Sequence, residues 1–162
     1  MNLPKEPDGR PQVRILHLED SRVDHALVKF ALQRSQLSCD VNLVDTMDDF
    51  QRELEAGGYD IVLADYHLPG FTGMDAWQLS RTLRPELPFV ILSGAIGEAA
   101  AVEAMHEGVS DYLLKDNLTR LPAAVRRELQ ETEARRRGRK AEAAMAQLAA
   151  IVQSSNEAII ST

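Results

Sequence analysis

Cysteine is almost missing from this chain. The single Cys39 excludes an intramolecular disulfide and any cysteine-only metal cage, and its place before Val41 and Leu43 marks an inert, half-buried thiol. Long apolar runs are missing too: none approaches the roughly 20 residues of a membrane-spanning helix. The first residues, Met1 to Gln12, are rich in proline, glycine and charge and lack the apolar core of a signal peptide; a disordered leader (1–12) to a cytoplasmic protein is expected. Positive charge is in deficit. Eighteen Lys and Arg stand against 25 Asp and Glu, a net charge of −7, which argues against general nucleic-acid binding and fits a site built from acids.

What is present suffices for one ordinary domain and a modest extra piece: 162 residues, 44% of them hydrophobic. Asp60 to Gly73 organises the whole. Ile61-Val62-Leu63-Ala64 is a continuous apolar run, the pattern of a strand covered on both faces. It delivers Asp65 into a loop that Leu68-Pro69-Gly70 turns. Around it the chain alternates. Val13–Leu18 reads as a first strand, and Ser21 as the cap of a helix with Asp24 as its capping-box partner. Val23, Ala26, Leu27, Phe30 and Ala31 give that helix one apolar face. Asp40–Val44 is a second strand; Thr46 and Asp49 open a helix carrying Met47, Phe50 and Leu54, which Gly57-Gly58 ends. A third helix runs from Gly73 to Leu83, before Pro85. Phe89–Leu92 is a fourth buried strand, Gly97 to Glu107 a fourth helix, Asp111–Leu114 a fifth strand, and a last helix begins near Thr119. Alternating strands and helices predict an α/β, flavodoxin-like, doubly wound five-stranded parallel sheet of order 2-1-3-4-5, with a long C-terminal helical extension.

The strands end alike. Strand one closes in Glu19-Asp20, strand three in Asp65, strand four in Ser93 and strand five in Lys115, all at the carboxyl edge where open α/β sheets place their sites. Solvated loops explain polar strand ends, but not acids gathered opposite one lysine. Two carboxylates about 4 Å apart repel by about 4 kcal/mol at an effective dielectric near 20. One lysine does not offset three acids; a hard divalent cation does, and all-oxygen ligation suits Mg²⁺ or Mn²⁺. An aspartate beside such an ion and a lysine is equipped to become an aspartyl phosphate.

These residues together resemble the receiver domain of two-component response regulators. The resemblance rests on Glu19-Asp20, on Asp65 followed by Leu68-Pro69 and Gly73, on Ser93, and on Tyr112 with Lys115, and covers Val13 to about Glu131. It implies Asp65 as phosphoacceptor, Asp20 and Asp65 as direct Mg²⁺ ligands, the His67 backbone carbonyl as a further ligand, and Glu19 acting through water. Ser93 and Lys115 would contact the phosphoryl oxygens, and Tyr112 would be an aromatic switch coupled to Ser93. The donor it implies is a sensor histidine kinase or phosphotransfer protein in a bacterial-type phosphorelay, with no catalytic output inside the chain. Two features depart from the pattern. Glu19 stands where many receivers have Asp, and Asp116 follows Lys115 where proline is usual. An aspartate-nucleophile phosphohydrolase would carry a second Asp where His67 stands; a non-phosphorylated pseudo-receiver would lack Asp65 or Lys115.

The remaining histidines His17, His25 and His106 match no metal spacing and read as packing or surface residues, and Trp77 as helix packing. His67 is placed to affect access to the site or the dephosphorylation rate. From Pro122 on the chain reads as one long helix. Leu121, Val125, Leu129 and Thr132 form a stripe, the basic run Arg135–Lys140 a solvated face, and Met145, Leu148 and Val152 a heptad-like seam that suits a homodimer. Residues 13–131 are thus expected to be the receiver, 132–147 a helical linker, and 148–162 the truncated start of a PAS domain, which they resemble: a short helix, then a strand. Neither nucleic acid nor membrane is an expected partner.

Overall fold

The computed structural model describes residues 12–94 and 97–160, so the expected leader lies, Gln12 apart, outside the described residues. Five parallel strands form the sheet: β1 (Val13–Leu18), β2 (Cys39–Val44), β3 (Ile61–Asp65), β6 (Phe89–Ser93) and β7 (Asp111–Leu114), in the order β2-β1-β3-β6-β7. With the two-residue strands β4 (His67–Leu68) and β5 (Phe71–Thr72) set aside, this is the expected 2-1-3-4-5 order. Every residue of β3 and β6 is buried, as strands covered on both faces require. Helices α1 (Arg22–Arg34), α2 (Met47–Ala56), α3 (Gly73–Leu83), α4 (Glu98–Glu107) and α5 (Leu121–Ile160) complete the chain. Side chains of alternate parity feed two cores. One holds Leu16, Leu18, Phe50, Val62, Trp77, Phe89 and Ile91; the other holds Ile15, Val28, Leu32, Leu63, Leu92, Leu121 and Val125.

The amino-terminal edge of the sheet is tied by polar contacts. Arg14 N–H donates to Asp60 Oδ2 (2.8 Å), and Asp60 N–H donates back to the Arg14 carbonyl (2.8 Å). The Arg14 guanidinium lies 4.8 Å over the Tyr59 ring and donates to the Gly58 carbonyl. The Tyr59 hydroxyl donates to Glu53 and accepts from Asn42, and Arg84 donates to the Leu54 and Glu55 carbonyls at the end of α2.

Three local expectations change. The face of α1 that meets the core carries Val28 and Leu32; Val23, Leu27 and Phe30 are 69%, 50% and 57% exposed. Apolar residues cover more than half the circumference of this helix, so periodicity alone does not choose the inner side. The last helix starts at Leu121, not near Thr119, because Lys115–Arg120 first form a 3₁₀ turn and Thr119 bonds Asn117 instead of capping. The strand expected near the end of the chain is replaced by helix as far as Ile160.

The chain divides into two compact units, Met1–Leu129 and Gln130–Thr162. In the second, the described part of the basic run is mostly exposed, and Met145, Leu148, Ile151 and Val152 are between half and three-quarters exposed. Among the described residues no helix is long and apolar enough to cross a membrane.

Candidate functional site at the carboxyl edge of the sheet

Each expected side chain is carried there by the end of a strand. The Glu19 N–H donates to the Val44 carbonyl (3.0 Å), which ends β1 against β2 and buries Glu19, while Asp20 stays exposed. Asp65 is the last residue of β3 and pairs with Leu92; Ser93 is the fully buried last residue of β6. Lys115 follows β7 directly through a trans peptide chain.

A small hairpin shapes the loop after Asp65. Gly70, with φ of 84°, lets β4 return as β5, and the Gly73 N–H donates to the Tyr66 carbonyl (2.8 Å). Thr72 and Asp75 form a full capping box on α3. A Cβ on Gly73 would stand 2.6 Å from the Asp65 carbonyl oxygen, so only glycine allows α3 to start this close to the strand end. His67 is exposed, with its ring edge-on to Tyr66 at 4.8 Å.

The charges converge as expected. Carboxylate oxygens of Glu19, Asp20 and Asp65 all lie within 4.8 Å of one another. The Lys115 ammonium reaches Glu19 Oε2 (2.7 Å) and Asp65 Oδ2 (3.1 Å). It also reaches Asp24 Oδ2 at 2.7 Å, a contact that the spacing of residues along the chain does not reveal. Asp24 does donate its backbone N–H to the Ser21 hydroxyl, but its carboxylate leaves the capping box for Lys115, 91 positions away in sequence. Only the i, i+3 spacing was visible in the chain, and it pointed to the wrong partner.

Burial alone would pull Lys115 down, but hydrogen bonds to Asp24, Glu19 and Asp65 outweigh it and hold the ammonium above the ordinary lysine range. Burial pushes Glu19 up to about 7, against hydrogen bonds from Lys115 and the Ser21 N–H. Tyr112 is raised by burial, opposed by its hydrogen bond with Ser93, and its ring lies 6.2 Å from that of Tyr66. The structure thus brings Glu19, Asp20, Asp65, Ser93, Tyr112 and Lys115 to one edge of the sheet. The donor set is all oxygen, and three acids against one lysine leave two negative charges uncompensated, which fits a hard divalent cation.

Beneath the cluster, His17 and His25 face each other with Nδ1 atoms 2.9 Å apart. They read as unrelated in sequence, because β1 and α1 meet only in the fold. Burial, the charge of His25 and that of Lys115 lower His17 to about 3. Native His17 therefore stays neutral in acid, while the unfolded chain takes up a proton near pH 6.5. The unfolded state binds more protons between these values, so stability is lost as the pH drops through that window. Glu19 acts in the opposite sense from about pH 4.5 to 7. His17→Leu, which removes only the first effect, is expected to gain about 2 kcal/mol at pH 5 relative to its own shift at pH 8. Urea melts at the two pH values measure this; equal shifts would disprove it.

The comparisons agree with this geometry. The model of the response regulator receiver domain family matches residues 15–126. The luminescence regulatory protein LuxO of Vibrio campbellii is 35% identical over 88 residues, 52% of this chain and 19% of LuxO. The two-component response regulator ARR3 of Arabidopsis thaliana is 29% identical over 126 residues, 70% of this chain and 54% of ARR3. The chain thus spans about a fifth of the length of the LuxO relatives. Among solved structures, the signal receiver domain of a putative LuxO repressor protein from Vibrio parahaemolyticus superposes with a TM-score of 0.68 at 22% identity, covering 76% of this chain and 95% of that one. The receiver domain of sensor histidine kinase PA1611 from Pseudomonas aeruginosa, with a magnesium ion coordinated in its active site cleft, gives 0.64 at 24% identity, covering 74% and 98%. A five-stranded parallel sheet of this order, an acidic pair and an aspartate facing a lysine at its carboxyl edge, and a family match over most of the chain leave one assignment: this is a receiver domain of the two-component response regulator family.

Proposed function

We propose that Asp65 is the phosphoacceptor of this receiver, taking a phosphoryl group from the phosphohistidine of a sensor histidine kinase or phosphotransfer protein. The observation that carries the reading is the Lys115 ammonium 3.1 Å from Asp65 Oδ2, beside two further carboxylates at the same sheet edge. An Asp65 oxygen forms the new P–O bond as the donor's P–N bond breaks. Lys115 and the Ser93 hydroxyl donate to the transferred oxygens, and Tyr112, hydrogen-bonded to Ser93, registers the change on the edge strand β7. Glu19, Asp20, Asp65 and the His67 carbonyl would hold Mg²⁺, which supplies electrostatic stabilisation of the phosphoryl charge. The exposed α1 residues Val23, Leu27 and Phe30 support a docking face for the donor; Leu27 and Phe30 line a groove of about 450 Å³ that Lys115 also borders.

The same reading gives the C-terminal helix the output role. Its exposed Met145, Leu148 and Val152 recur at heptad spacing and suit pairing with a second copy, and residues 148–162 would be the start of a PAS domain. On this reading residues 13–131 would be the receiver and 132–147 the linker.

Incubation with acetyl phosphate and Mg²⁺ is expected to add one phosphoryl group per chain by intact mass, and none to Asp65→Asn. Full labelling of that variant would refute the assignment. Sedimentation of the same samples reads the output: association that is identical before and after labelling would remove the helix seam from it.

A further inference from the structure

The Lys115 ammonium has three hydrogens, and carboxylate oxygens of three residues crowd around it: Glu19, Asp24 and Asp65, at 2.7, 2.7 and 3.1 Å, with Asp24 hydrogen-bonded to it. A phosphoryl group on Asp65 brings strong acceptors to the same ammonium, and one of the three must release it. Glu19 is poorly suited. Its side chain is 1% exposed and its other oxygen accepts the Ser21 N–H (3.1 Å), so no water can take the place of the lysine if it lets go. Asp65 bears the incoming group itself. Asp24 sits in the first turn of α1 with its side chain 34% exposed, and water can solvate it once it lets go.

We propose that Asp24 is a positioning residue that holds Lys115 in the unphosphorylated protein and competes with the phosphoryl group for its ammonium. Occupation of the site exchanges the Lys115–Asp24 pair for a Lys115–phosphoryl pair. Asp24 thereby weakens the grip on the phosphoryl group, and its release adds an unpaired negative charge to α1 next to the exposed Val23. The inference rests on Asp65 as phosphoacceptor.

The test is calorimetric titration of the full chain, in Mg²⁺, with beryllofluoride as the phosphoryl mimic. Asp24→Asn keeps the shape and the Ser21 cap but removes the charge. Its beryllofluoride dissociation constant is expected to fall about two- to five-fold, the value of an ion pair of this exposure. Asp24→Ser is expected to move the same way, and Asp24→Glu to return to the parent value. Mg²⁺ titrated alone is expected to bind no more tightly to Asp24→Asn than to the parent. A merely structural role would weaken both titrations. Beryllofluoride binding that is unchanged or weaker in Asp24→Asn, or an Asp24→Glu that behaves like Asp24→Asn, overturns the proposal while leaving Asp65 in place. A parent protein that binds no beryllofluoride removes the Asp65 reading and this inference with it.

Discussion

Gly73→Ala is expected to destabilise the receiver by about 3 kcal/mol, the upper range for forcing a methyl into a filled space, and to slow labelling of Asp65 sharply. The added Cβ would meet the Asp65 carbonyl oxygen at 2.6 Å and the Asp65 C and Tyr66 Cα at 3.3 Å. All three are backbone atoms, so no side chain can swing away. They are also fixed, by the Gly73 N–H on the Tyr66 carbonyl and the Tyr66 N–H on the Leu92 carbonyl (3.1 Å). Relief requires moving either the start of α3 or the end of β3, and both displace the Asp65 carboxylate from Lys115. Gly70→Ala is the control. Its φ of 84° makes alanine strained, but nothing lies within 4 Å of the new Cβ. A cost of about 1 kcal/mol with near-normal labelling is expected there. Urea midpoints and acetyl phosphate labelling rates of the two variants decide the matter; a Gly73→Ala protein as stable and as reactive as the Gly70→Ala one would contradict the packing argument.

Removing the cation should be nearly as severe. Lys115→Met keeps most of the side-chain volume but leaves Glu19 and Asp65, with side chains 1% and 11% exposed, facing each other without compensation. Breaking a buried pair by deleting one partner costs about 3 kcal/mol or more. Added Mg²⁺ is expected to restore part of the loss to the variant, because it supplies positive charge to the same carboxylates. The double variant Lys115→Met with Glu19→Gln should recover more than the sum of its parts predicts, since the stranded charge is gone. Chemical denaturation with and without Mg²⁺ measures both effects. Additive losses in the double variant would show that Lys115 stabilises the fold through its stem rather than its charge.

The sheet and the site were legible for the same reason. Buried parallel strands such as Ile61–Ala64 and Phe89–Leu92 are continuous apolar runs, and the residue ending each run is by topology at the carboxyl edge. Glu19, Asp65, Ser93 and Lys115 could therefore be placed together without knowing any distance. What sequence did not yield depends on rotation about a helix axis. On α1, apolar residues lie on both sides, and one residue of rotation separates a core of Val28 and Leu32 from one of Leu27 and Phe30. The same rotation aims Asp24 at Lys115 and His25 at His17. Local spacing named a cap; the long-range ion pair needed the third dimension. At the tail, heptad spacing foretold helix, but nothing in the composition marked how far it continues, and it runs on to Ile160.

The polar ties among Arg14, Asp60, Tyr59, Glu53 and Arg84 make the sheet a cantilever. It is clamped at its amino-terminal edge, where loops are bonded to neighbouring strands and helices, and it carries its concentrated charge at the other end. Local opening follows the least-bonded segments, so a change of charge at the carboxyl edge is expected to be taken up by the loops there while the clamped edge keeps the strands in register.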